Sequence, residues 1–155
     1  MHIVLVEPQI PQNTGSIART CAATGSPLHL IEPLGFDITE KAVRRAGLDY
    51  WPHVDLHRHC SWQAFMEAVS PTNHWFFSKF GSSSYSDVRF QPEDALIFGS
   101  ETKGLGESFL STVAPEQILR IPINTAHVRS LNLSNAVSIA LYEGLRQQEF
   151  PLKFN

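Results

Sequence analysis

Two cysteines, Cys21 and Cys60, are the whole thiol inventory of this chain of 155 residues. A domain of that length buries roughly two-thirds of its unfolded surface and needs no disulfide staple. Both are read as reduced thiols, and a cytoplasmic location is expected. No apolar run approaches the ~20 residues that span a bilayer, so neither a transmembrane helix nor a membrane partner is expected. The start, MHIVLVEPQIPQNTG, lacks a basic segment and has only a very short apolar stretch. It reads as a first strand running into a loop rather than as a signal peptide. Positive charge is not in excess either: 12 Lys and Arg face 15 Asp and Glu, a net charge of −3. That argues against a broad basic footprint for nucleic acid. A local one is still possible, because Lys41, Arg44 and Arg45 crowd together. Repeats, low-complexity tracts and linkers are missing too, and a single domain over residues 1–155 is expected.

What the chain does contain is an ordinary hydrophobic share of 43%, laid out as short apolar runs alternating with helical patterns. HIVLVE and LHLIE read as strands, with a helix over residues 14–24 between them, ended by Gly25. DITEKAVRRAG reads as a helix with Thr39 as N-cap and Gly47 past its end. CSWQAFMEAVS is another, opened by Ser61. HWFFSKF, DALIFGS and QILRIPI read as buried strands. A last helix is expected from about Ser134 to Gln148, packing through Leu133, Val137, Ala140, Leu141 and Gly144. Strands apolar on both faces and alternating with helices imply an α/β fold, a parallel sheet flanked by helices. In such sheets ligands bind beyond the carboxyl ends of the strands.

Three loops at those ends carry the chemistry-bearing residues. The first, EPQIPQNTGSIART, spaces Asn13, Gly15 and Arg19 as N-x-G-x-x-x-R; taken alone it is also a capped helix with a surface arginine. The second, GSETKGLGES, has glycines at 99, 104 and 106, which allow positive φ and close approach to a ligand. Glu101 is placed there to accept from an amine, and Lys103 to meet phosphate or solvent. The phosphate-cradling pattern G-x-x-x-x-G-K-[ST] and the dinucleotide pattern G-x-G-x-x-G are both absent. The third, PINTAHVRSLNLSN, exceeds the ~4–6 residues typical of a connection, and long ordered loops are usually functional. It delivers Ser130, Asn132, Ser134 and Asn135 to a helix N-terminus, more hydrogen-bonding side chains than capping uses.

Other candidates carry less. His57, His59 and Cys60 lie close together, but DLHRHCSW reads as a strand end and a helix cap, and no second Cys/His cluster completes a tetrahedral site. No metal is expected. Phe76, Phe77 and Phe80 offer rings on which a base could stack, but HWFFSKF reads more readily as core strand with its end exposed. The serines at 82–84 have no G-x-S-x-G setting. Tyr142 sits between core positions with a hydroxyl that must reach water.

Taken together, Asn13-x-Gly15-x-Ile17-x-Arg19, Phe98-Gly99-Ser100-Glu101-x-x-Gly104, and Ile121-Pro122 followed by Ser130-Leu131-Asn132-Leu133-Ser134-Asn135 resemble the three motifs of the SPOUT RNA 2′-O-ribose methyltransferases. With EPLGF at 32–36 and GLDYW at 47–51, the chain is most similar to the small tRNA (cytidine(34)-2′-O)-methyltransferase group. The resemblance implies a C-terminal deep trefoil knot, against the general rarity of knots. It implies S-adenosyl-L-methionine as cofactor, with S-adenosyl-L-homocysteine as product, bound by Phe77, Ser78, Gly99, Glu101, Gly104, Ile121, Ser130 and Leu131. It implies a homodimer with knot-region helices at the interface and Arg19 reaching the neighbour's cofactor, and a tRNA partner. Catalytic roles fall to Arg19, Ser134 and Asn135, with Ser134 or Asn135 capping the last helix and facing the ribose. RNA contacts fall to Arg44, Arg45, Arg129 and Tyr142, with Lys103 as a further local cation. Two alternatives stay open: a knotted methyltransferase acting on another RNA position, and a ligand- or RNA-binding α/β module without catalysis.

Overall fold

The computed structural model describes residues 1–38 and 50–152. In chain order the elements are β1 (His2–Val6), α1 (Pro11–Thr24), β2 (Leu28–Ile31), β3 (Leu56–His59), α2 (Trp62–Val69), β4 (His74–Phe77), β5 (Ser83–Ser84), β6 (Ala95–Phe98), α3 (Glu107–Leu110), β7 (Ile118–Arg120) and α4 (Leu133–Gln147). The helix expected over DITEKAVRRAG, with Thr39, Arg44, Arg45 and Gly47, lies outside the described residues from Thr39 onward.

The described strands form one sheet in the order β3-β2-β1-β6-β4-β7-β5, with every pairing parallel. Both faces are covered, and the strand sequences show it. Ile3, Leu5, Leu28, Leu30, Leu96 and Phe98 turn to one side, where Ile17, Ala18 and Cys21 of α1 and Val137, Ala140 and Leu141 of α4 close the core. Val4, Ile31, Ala95 and Ile97 turn to the other side, against Phe65 of α2. Alternate residues of one strand feed two cores, so the runs are apolar throughout rather than alternating. The late strands enter between earlier ones: β6 pairs with β1 and β4, and β7 pairs with β4 and β5. Among the described residues no helix is long and apolar enough to cross a membrane.

Helix boundaries follow local chemistry. Gly25 stops α1 at φ 65°, and its N–H donates to the Cys21 carbonyl. Ser61 caps α2 by accepting from the Ala64 N–H at 3.1 Å. Two expected starts move. α1 begins at Pro11, because a proline in the first turn forfeits no helical hydrogen bond. Asn13 is therefore buried within that turn and does not cap it. α4 begins at Leu133 with Asn132 as N-cap, so neither Ser134 nor Asn135 is the cap. HWFFSKF also shortens: its strand ends at Phe77, and the rest is a turn.

Candidate active site

Because the strands are parallel, the segments that follow β1, β4, β6 and β7 emerge at one edge of the sheet, where they bound an open cleft of about 1350 Å³. Recognition pockets for drug-sized molecules commonly measure ~300–1,000 Å³, so the space admits a nucleoside-sized cofactor with room for part of a second ligand. Phe77 closes the end of β4 and stacks on Phe98 of β6, with centroids 4.6 Å apart and planes 13° from parallel. Ile121, Leu131 and Leu133 continue the apolar wall.

The three motif loops are joined to one another by side chains. The Glu101 carboxylate accepts from the backbone N–H groups of Gln9 (2.8 Å) and Ile10 (3.2 Å) and from the Asn13 side-chain amide (3.0 Å). Asn13 Oδ1 in turn accepts from Asn132 Nδ2 at 2.9 Å. Asn132 Oδ1 accepts from the N–H (2.9 Å) and the hydroxyl (2.6 Å) of Ser134. Burial pushes the Glu101 carboxyl upward, but these donors outweigh it and hold it below its ordinary range. Glu101 is thus an ionised clasp, and beside the expectation that it receives a ligand's amine it has this internal role. The loop carrying it closes on itself: Ser100 and Gly104 exchange backbone hydrogen bonds of 3.1 and 2.8 Å. A Cβ on Gly99 would lie 2.0 Å from the Gly104 carbonyl carbon, so only glycine permits the closure.

All eight residues expected to hold the cofactor line the cleft: Phe77, Ser78, Gly99, Glu101, Gly104, Ile121, Ser130 and Leu131. Arg129 lines it as well, and Lys103 stands on its wall. Arg44 and Arg45 are outside the described residues. Arg19 is elsewhere. It is exposed on α1, does not line the cleft, and lays its guanidinium 4.6 Å from the ring centroid of Tyr50. Tyr50 is itself fixed by donating its hydroxyl to the Gly15 carbonyl at 2.7 Å. Ser134 and Asn135 open α4 beside the cleft without lining it. Tyr142 is 45% exposed two turns further on, and with Ile139 and Phe150 it makes an apolar surface stripe.

Sequence reading missed the Glu101–Asn13–Asn132 linkage, whose members lie 88 and 119 positions apart. It also missed Arg120 at the rim, and it sets aside the base-stacking role weighed for Phe80, which stands there too. HWFFSKF reads as one strand with an exposed end, whereas the strand stops at Phe77 and Phe80 stands in the turn beyond it.

A family model described as the SpoU rRNA Methylase family matches residues 1–142. The tRNA (cytidine(34)-2′-O)-methyltransferase of Escherichia coli (strain K12) is 47% identical over 151 residues, covering 97% of this chain and 96% of the relative. A solved structure described as giving insights into the 2-OH methylation of C/U34 on tRNA superposes with a TM-score of 0.86 at 49% identity, covering 96% of this chain and 95% of that one. The SpoU methyltransferase AviRb from Streptomyces viridochromogenes, solved with AdoMet, shares the fold at a TM-score of 0.82 and 24% identity, over 96% of this chain and 58% of that one.

Proposed function

Since the chain belongs to the SpoU methylase family, we propose that it transfers a methyl group from S-adenosyl-L-methionine to the ribose 2′-OH of the tRNA wobble nucleotide, position 34, a cytidine or modified uridine of leucine tRNAs. The observation that carries the reading is the clasp: Glu101, Asn13, Asn132 and Ser134 hold all three motif loops around one cleft on a chain nearly half identical to such enzymes. A tRNA substrate supports a cytoplasmic location.

The cleft fits the cofactor. Adenine asks for apolar walls and a few hydrogen bonds, which Phe77, Ile121 and Leu131 offer beside Ser78, Ser130 and the open backbone at Gly104. When bound, S-adenosyl-L-methionine supplies a methyl group already activated by its sulfonium. The chain's own task is placement: a near-attack arrangement holds reacting atoms ~3–3.5 Å apart, and loops clasped by ionised hydrogen bonds keep that geometry. The same clasp makes Glu101 a poor acceptor for the hydroxyl proton, because its donors hold it below its ordinary range. Ser134 is likewise committed to Asn132.

Arg19 is assigned the orienting of the ribose or an adjacent phosphate; a guanidinium, with a pKa above ~12, serves poorly as a base. It does not line the cleft of its own subunit, and in this reading it completes the cleft of a second one. The homodimer places α1 and α4 at the interface. The two helices already pack together, with the hydroxyls of Thr20 and Ser138 3.5 Å apart, and the apolar stripe of Ile139 and Tyr142 stands exposed beside them. The C-terminal trefoil knot belongs to the same reading. It is supported by the entry of β6 and β7 between earlier strands and by the return of α4 onto α1.

The test is methyl transfer from labelled cofactor to total tRNA, followed by mapping of the labelled nucleotide. Label on the wobble ribose is expected. Label at another position would replace this reading with the methyltransferase of a different RNA site, and cofactor binding without transfer would replace it with a binding module. For the shared site, Arg19→Ala is mixed and refolded with Leu131→Asp. Each is expected to be inactive alone and the mixture to recover about a quarter of the parent rate, as random pairing in a two-fold dimer allows. A mixture as inactive as its components overturns the shared site.

A further inference from the structure

Phe80 sits at the cleft mouth with no packing role to explain it. It is 67% exposed, the most of any large hydrophobic residue among those described. Its position is built. Ser78 N–H donates to the Leu119 carbonyl at 2.9 Å, Gly81 N–H donates to the Ser78 carbonyl at 3.1 Å, and Phe80 N–H donates to Ser78 Oγ at 3.2 Å. A Cβ on Gly81 would come within 2.6 Å of the Leu119 carbonyl carbon, so this turn is pressed onto β7 and cannot swing inward. The ring is therefore held in solvent at the rim of the site, with Lys79 Nζ 5.0 Å from its centroid.

The charge around it has one sign. Lys79, Lys103, Arg120 and Arg129 all line the cleft, and none forms an ion pair with a described acid. Of the acids that line it, Glu101 is consumed by the clasp, which leaves Glu107. A chain of net charge −3 thus shows a cationic mouth with an aromatic face in it. That combination suits one ligand chemistry, a single-stranded polyanion with flat apolar rings. A free phosphate has no use for the ring, and an apolar surface has no use for the cations.

We propose that Phe80 is a substrate-gripping residue that stacks on an unpaired nucleobase of the RNA, while Lys79, Arg120 and Arg129 take the flanking phosphates. The inference rests on RNA being the methyl acceptor and adds which side chain grips it. Stacking on an aromatic ring tolerates any base, so Phe80 supplies a hold on a loop nucleotide rather than a choice among sequences.

The experiment uses the full chain with Phe80→Ala, Phe80→Leu and Phe80→Trp. It measures binding of an anticodon stem-loop RNA over a salt series, and of S-adenosyl-L-methionine by calorimetry. Phe80→Ala and Phe80→Leu are expected to weaken RNA binding roughly 5- to 150-fold, the range for losing one stacked base. Phe80→Trp should retain it, and all three should bind the cofactor like the parent. The salt slope should be unchanged by Phe80→Ala and should fall by about 0.7 for Lys79→Ala, which removes a phosphate contact. Parent-like RNA binding by Phe80→Ala or by Phe80→Leu overturns the proposal, as does a loss confined to the cofactor. A parent protein that binds RNA but methylates a different nucleotide defeats the wobble assignment and leaves Phe80 supported. A parent that binds no RNA defeats both.

Discussion

Acid should unfold this protein from the histidine-rich end of its sheet. His29, on β2, is 2% exposed and stands at the centre of a chain of imidazoles. Its Nε2 is 3.0 Å from His2 Nδ1 and its Nδ1 is 3.0 Å from His59 Nε2, while the His57 ring stacks on it at 4.9 Å. Glu93 reaches His2 at 3.3 Å and Asp55 reaches His57 at 2.8 Å, but neither touches His29, and Phe65 of α2 covers it. Burial, then the neighbouring histidines, push His29 down to about 3 from 6.5. The unfolded chain therefore binds a proton here at a pH where the folded chain does not. Stability is intact above the unfolded value and is lost as the pH falls from there toward the folded one.

At 1.36 kcal/mol per unit, His29 alone should cost about 2 kcal/mol by pH ~5 and about 4 kcal/mol by pH ~3.5. His2, His59 and His74 are lowered in the same direction and steepen the slope. Carboxylates do not confuse the upper part of this window. Glu101 and Glu143, which are also lowered, exact their cost only below their unfolded value of 4.5. Urea unfolding at fixed protein concentration, at pH ~7.5 and again at pH ~5, measures the difference directly. His29→Leu should flatten the curve between those values by about the His29 share. Equal midpoints for the parent at the two pH values, or an undiminished slope in His29→Leu, would refute the reasoning.

Two further outcomes concern the clasp. Glu101→Gln keeps the shape but loses charge and turns an amide donor toward donors. It should lower stability by about 1–3 kcal/mol in thermal melts and weaken cofactor binding, since the loop after β1 loses its anchor. Asn132→Asp should keep the α4 cap, because its carboxylate still accepts from the Ser134 N–H. It should nonetheless lose methyl transfer by more than tenfold, because an oxygen then faces Asn13 Oδ1; Asn132→Ala should lose about 1 kcal/mol of stability as well.

The fold was legible where a local signal decides it. Runs apolar on both faces announced parallel strands, and Ser61 and Gly25 marked helix ends because each satisfies backbone groups within one turn. β5 carries no such signal. Two serines have no periodicity, and they are strand only because β7 lies beside them. The imidazole chain was equally hidden, since only the register of β1, β2 and β3 brings His2, His29 and His59 together. The insertion of β6 and β7 between older strands is a property of chain order in space, which no spacing records.

The candidate site was legible for a different reason. Each motif taken singly fits a plain structural use: a helix start, a glycine turn, a polar helix entrance. The structure shows that these uses are interdependent. Glu101 holds the start of α1 through the Gln9 and Ile10 N–H groups and through Asn13 inside its first turn, and Asn13 is oriented because its oxygen accepts from the N-cap of α4. Asn132 does more than cap: its amide oxygen accepts from the Ser134 N–H while its amide nitrogen donates to Asn13, a second bond that an Asp carboxylate at this cap could not make. The crowding of Ser130, Asn132, Ser134 and Asn135 thus resolves into separate jobs, with Ser130 on the cleft, Asn132 linking two loops and Ser134 bound to that link. A substitution at 132 should accordingly be felt at the β1 loop, more than a hundred residues away in sequence and one hydrogen bond away in space.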